Sequence, residues 1–161
     1  MAKYVLNTGA EDYDFALFGI VCSENQYQTV SAISDVLKIN LVLSDYIPFN
    51  LKDGRLFKFS LYHFVDEELG LEYYLIPNTS NFEELGSVPA QDAGLFAEMN
   101  VDESVRLIKE LPKTDYFVIL KGEDIHNYQF RVADLLKRVP EFIQVQSITA
   151  AELPSRKNLV F

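Results

Sequence analysis

The chain has one cysteine, Cys22. No internal disulfide can form, so the fold must rest on its core alone. The 161 residues can supply that core, since a chain of this size can bury roughly 70% of its unfolded surface. Neither a structural metal nor a disulfide staple is needed, and chelators are expected to leave folding unchanged. Cys22 ends an apolar run, so it is expected to be buried and unreactive. Tryptophan is absent. So are long apolar runs: the longest, Ala16–Cys22, falls far short of the ~20 residues that cross a bilayer. The opening residues turn acidic at Glu11, Asp12 and Asp14 and show no signal-peptide pattern. The expected location is cytoplasmic, with no role at a membrane.

One long stretch also lacks basic residues. Between Phe59 and Val105 there is no lysine or arginine, while ten acids occur: Asp66, Glu67, Glu68, Glu72, Glu83, Glu84, Asp92, Glu98, Asp102 and Glu103. The chain has 24 acids and 14 bases in all, so this stretch accounts for the whole net charge of −10. Its field repels phosphate backbones and anionic lipid, so nucleic acid is not an expected partner. The acids read as a solubilising face, as a docking surface for a basic protein, or as a weak cation site.

The motifs of common chemistries are missing. The seven glycines match neither a dinucleotide-binding fingerprint nor a phosphate loop. There are no paired cysteines, no His-Glu-x-x-His and no Gly-x-Ser-x-Gly. Glu11, Asp12 and Asp14 lack the spacing and internal glycine of a cation loop. His63 alternates with Phe59, Leu61 and Val65 and reads as a half-buried strand residue with a local hydrogen bond. His126 falls in the first turn of a predicted helix, where it is expected to be exposed. No catalytic, metal or cofactor residues are assigned, and the reading leans away from an enzyme.

The elements themselves are legible. Lys3–Asn7 reads as a short strand and Asp14–Cys22 as a buried one. Ser23 and Gln26 form a capping-box pattern for a helix running to about Lys38, with Tyr27, Val30, Ile33 and Leu37 on one face. Asn40–Leu43 is the next expected strand, and Pro48 with Asp53-Gly54 breaks the chain. Leu56–Val65 and Leu71–Ile76 alternate as a long hairpin with aromatics on both faces. Pro77 to Ala90 reads as loop. Short helices are expected over Gln91–Met99 and Asp102–Glu110, with Val105 and Ile108 available to pack. Asp115–Lys121 is a strand. Asp124 caps a helix over Ile125–Arg138, Pro140 stops it, and Phe142–Ile148 is the last strand. The apolar tail Leu159-Val160-Phe161 is expected to dock.

At an offset of 101 residues Asp14 matches Asp115, Tyr27 matches Tyr128, Gln28 matches Gln129 and Ala32 matches Ala133. The repeated order of elements says more than these four identities. It predicts one α+β domain over residues 1–161, a mixed sheet with two main helices on one face. Two strand–helix–strand units in a ferredoxin-like split, plus the long hairpin, are expected.

The segment Ile108-Lys109-Glu110-Leu111-Pro112-Lys113-Thr114-Asp115-Tyr116 resembles the signature of a family of small uncharacterised bacterial proteins named for an Ile-Pro-Glu-x-x-x-Val-Asp-Tyr motif. Ile108, Glu110, Asp115 and Tyr116 agree with it; Lys109 replaces its proline and Thr114 its valine. The start (Tyr13-Asp14-Phe15, Gly19-Ile20, Cys22) and the end (Ser155 to Phe161) are also similar. The resemblance implies a cytoplasmic domain of this extent and supplies no activity. The motif itself reads as a loop entering a buried strand.

The leading expectation is a non-catalytic interaction or adaptor domain, acting on an unknown protein partner or on a second copy of itself. Its expected surface is the hairpin: Tyr62, Phe64 and Tyr74 with the acids Asp66, Glu67, Glu68 and Glu72. The alternative is a small-ligand-binding regulatory module, by analogy with paired strand–helix units.

Overall fold

A computed structural model of the chain describes residues 14–52, 54–80 and 105–161. The strand expected at Lys3–Asn7, the helix expected at Gln91–Met99 and the acids from Glu83 to Glu103 lie outside the described residues.

The first strand, β1, runs Ala16–Cys22, and helix α1 follows over Gln26–Leu37. The cap of α1 is Asn25, two residues later than the sequence suggested. Its Oδ1 accepts from Gln28 N at 2.9 Å, and Gln28 Oε1 accepts from Asn25 N at 3.3 Å. The pattern Asn25-x-x-Gln28 satisfies the same rule as Ser23-x-x-Gln26, and asparagine is an equally good cap. Thr29, Ile33 and Leu37 are buried, whereas Tyr27, expected on that face, is 80% exposed. Thr29 can be buried because its hydroxyl donates to Asn25 O at 2.9 Å.

Strand β2 covers Val42–Asn50, β3 Leu56–Asp66, β4 Leu71–Pro77, β5 Thr79–Ser80, β6 Val105–Arg106, β7 Tyr116–Gly122 and β8 Phe142–Ile148. Helix α2 occupies Ile125–Lys137 between the last two. Pro48, expected to break the chain, lies inside β2 opposite Lys58. This is possible because β2 is at the edge of the sheet, where a missing N–H costs no ladder bond. The helix expected over Asp102–Glu110 is replaced, from Val105 on, by β6 and a turn.

Six strands form one sheet in the order β2-β3-β4-β7-β1-β8, and β5 pairs with β6. Every neighbouring pair in the six-strand sheet is antiparallel, which corrects the expected mixed sheet. The strands joined by α2, β7 and β8, do run the same way. β1 inserts between them and opposes both, so no parallel neighbours arise.

Both helices lie on one face. Ile33 and Leu37 of α1 and Ile125, Val132, Ala133 and Leu136 of α2 share a core cluster with Phe18, Ile20, Tyr62, Leu75 and Val118. On the other face Leu17, Phe59, Leu61, Ile76, Phe117 and Ile119 pack against Leu107, Ile108, Ala150, Leu153 and Leu159. That second layer is built from a turn and two 3-10 segments, Ala150–Glu152 and Arg156–Leu159. Each fully buried Leu, Ile or Phe contributes roughly 1.5–3 kcal/mol, so both faces matter to stability. Two glycines allow close approach. A Cβ on Gly122 (φ +154) would lie 2.6 Å from Gly70 O, and one on Gly19 would lie 2.8 Å from Ile148 Cδ1.

Candidate functional site

The hairpin residues expected to form one surface do not share a face. Tyr62 is buried in the helix-side cluster, and Phe64 packs against the same cluster. Tyr62 Oη accepts from Gln26 Nε2 at 2.7 Å, tying the hairpin to α1. Tyr74 packs against the opposite cluster. The acids divide as well. Asp66 Oδ1 accepts from Leu69 N at 3.1 Å and closes the turn, while Glu67 and Glu68 are exposed at its tip.

Glu72 joins Tyr74 in a cluster that the sequence did not announce. Tyr74 Oη donates to Glu72 Oε2 at 2.7 Å, and His63 Nε2 lies 3.0 Å from the same oxygen. The His63 ring stacks on Tyr74 with centroids 4.5 Å apart. Lys121 Nζ sits 5.1 Å from the Tyr74 ring, 4.9 Å from Phe161 and 5.8 Å from Phe15, a cation held over three aromatic rings. The hydrogen bonds from Tyr74 and then His63 hold the Glu72 carboxyl below the usual range. Burial and the Glu72 bond push the Tyr74 hydroxyl up to about 12. A phenol that high is neither a base nor a ready acid at neutral pH. Phe161 packs edge-on against Tyr74 at 5.2 Å and Leu159 is buried, so the apolar tail docks in part, with Val160 and Phe161 still 40% and 44% exposed. These contacts cross from β3 to β4 to β7, and only the strand register (Val65 opposite Glu72, Glu72 opposite Lys121) reveals them.

The motif residues all take structural roles. Ile108 is fully buried. Glu110 accepts from Ser155 N at 2.5 Å and Ser155 Oγ at 2.8 Å; these bonds outweigh its partial burial and hold its carboxyl low. Asp115 Oδ2 accepts from Cys22 N at 2.9 Å, and the buried Tyr116 donates to Glu24 O at 3.1 Å. The C-terminal segment meets the motif through Ser155, and Asn158 Nδ2 donates to Leu107 O, one residue ahead of it, at 2.7 Å. Sequence reasoning missed the hub of this arrangement, Asn78. It is fully buried, accepts from Ile108 N at 2.8 Å, and donates to Leu111 O at 2.9 Å and Thr114 O at 2.8 Å. An asparagine following Pro77 looks like ordinary loop, and no local pattern marks its burial.

Cys22 is buried, as expected. Burial pushes its thiol up, against the hydrogen bond it shares with Thr29, so the unreactive thiol form prevails. His126 is exposed. Among the described residues no group of three or more His, Cys, Asp and Glu side chains converges to hold a metal, and no helix is long and apolar enough to cross a membrane.

The two outer strands are the remaining candidates. At one edge, β2 carries a bulge at Ser44, between the pairs Leu43–Tyr62 and Asp45–Leu61, and Pro48 in its second half. At the other, β8 has a bulge at Ile143 and then pairs regularly with β1 from Gln144 to Ile148. β8 reads Phe-Ile-Gln-Val-Gln-Ser-Ile, with neither a charge nor a proline. Ile143 is 73% exposed, and so, at 72%, is Phe130 on α2, the helix packed beside β8. No family model, no curated protein and no solved structure matches the chain.

Proposed function

We propose that this chain is a non-catalytic interaction domain whose first partner is a second copy of itself, joined through β8. The observation behind this reading is the edge of β8, which no strand pairs among the described residues and which is regular from Gln144 to Ile148 and free of charge and proline. An edge strand displays unpaired N–H and C=O groups that template another strand. An antiparallel pair of identical strands is self-complementary about a two-fold axis, the commonest symmetry of oligomers. Each copy has a net charge of −10, so association is favoured at a strand that brings no like charges together. Ile143 and Phe130 would add apolar area on either side of the axis.

The core order β8-β1-β7-β4, crossed twice by helices, supports a ferredoxin-like split with β2 and β3 as an extension of the sheet. A domain of that kind leaves β8 as the free edge. Sedimentation equilibrium tests the reading. The chain is expected at twice its 18.4 kDa mass, and Ile143→Lys is expected to return it to a folded monomer whose melting temperature no longer rises with protein concentration. A wild-type monomer at all concentrations rejects the homodimer.

A further inference from the structure

A second feature lies on the other side of α2. A cleft of about 250 Å³ opens between the end of α1, one flank of α2 and the tip of the β3–β4 hairpin. Its apolar wall is Val36, Leu37, Leu69, Val132 and Leu135. Two cations, Lys38 and Arg131, line it. No hydrogen bond or ion pair engages either side chain among the described residues. Tyr73 also lines the cleft. It is 6% exposed, and its hydroxyl has no hydrogen-bond partner among the described residues.

A buried polar group without a partner is unusual in a folded protein and asks what satisfies it. The charge setting is unusual too. In a chain of net charge −10, two cations that are unpaired among the described residues line the same cleft. One acid, Asp66, also lines the cleft; its Oδ1 accepts from Leu69 N, and its charge, like that of Arg131, is felt at the Tyr73 hydroxyl. Ligand sites combine an apolar surface with a few convergent polar groups. Cations and a phenol donor are suited to a carboxylate, and a guanidinium can grip one with two parallel bonds.

We infer that this cleft binds a small organic carboxylate with an apolar body, its carboxylate held by Arg131, Lys38 and the Tyr73 hydroxyl and its body lying against Leu37, Val132 and Leu135. Tyr128, also in the lining, flanks the body. No residue of β8 takes part, so the site is independent of self-association. It would make the domain a sensor of such acids, since a ligand that binds only the folded state stabilises it.

The test uses the full-length protein with phenylacetate and hexanoate as probes and with phenylacetamide as the uncharged control. Binding is read by calorimetry and by the rise in melting temperature. Both carboxylates are expected to bind and to raise the melting temperature, and phenylacetamide to do neither. Arg131 is exposed, so Arg131→Gln leaves the fold intact; it is expected to weaken carboxylate binding about tenfold, the effect of one lost charged hydrogen bond. Tyr73→Phe is expected to weaken it less. No binding by either carboxylate overturns the proposal. So does equal binding of the amide, or affinity unchanged in Arg131→Gln.

Discussion

The two edges of this sheet face the same hazard and handle it differently. Among the described residues each has a row of backbone groups that no further strand pairs. β2 exposes more apolar surface, with Val42, Leu43 and Tyr46 each about half exposed. Yet β2 is interrupted twice, by the bulge at Ser44 and by Pro48, and it carries the charge of Asp45. Bulges, prolines and charges are the devices by which edges are blunted. β8 has its bulge at one end only and nothing to interrupt the rest. The comparison teaches that exposed apolar area alone does not mark an interface. Uninterrupted backbone does, and on that criterion β8 is the edge left open.

The largest expected effect comes from dislodging β8. Gly19 lies opposite Gln146, and a Cβ there would meet Ile148 Cδ1 at 2.8 Å and Thr114 Cγ2 at 3.1 Å. Gly19→Val should destabilise the fold by about 1–3 kcal/mol, the usual cost of overpacking, as read by urea unfolding. It should also weaken self-association by displacing the strand that mediates it. A smaller effect is expected from opening the blunted edge. Pro48→Val restores an N–H donor to β2, so assemblies larger than a dimer should appear in sedimentation at high concentration. If only the dimer is seen, the bulge and Asp45 suffice to close that edge. The smallest effect belongs to a region remote from both edges. The Tyr74 hydroxyl is raised from 10.0 to about 12, so its contribution to stability is whole below pH 10.0 and is lost as pH rises towards 12. Tyr74→Phe should flatten the alkaline fall in melting temperature and leave the dimer unchanged. Some slope should remain, because burial also raises the hydroxyls of Tyr73 and Tyr116.

The sequence made the regular elements visible where one physical signal dominated. Phe142–Ile148 was expected and observed with identical bounds, because Pro140 and a β-prone run define it. The β3–β4 hairpin was legible from alternation, but its orientation was not. Aromatics on both faces leave periodicity silent, and both faces turn out to be covered. The cap of α1 moved because two overlapping patterns, at Ser23 and Asn25, satisfy the same rule. The sequence predicts a strand over Asn40–Leu43 where β2 runs Val42–Asn50, because Pro48 is a breaker everywhere except at an edge, and edge position is a property of the whole sheet. The same limit hid the Glu72–His63–Tyr74 cluster, the Asn78 hub and the Tyr73 cleft. Each joins residues from separate elements, and pairing across elements is fixed by topology that no local window contains.

Amide hydrogen exchange compares the two edges within one sample. The outward-facing amides of Gln144 to Ile148 are expected to exchange more slowly as protein concentration rises, because pairing with a second copy covers them. Those of Val42 to Asn50 are expected to exchange at one rate throughout. Concentration-dependent protection in β2 and none in β8 would contradict the account.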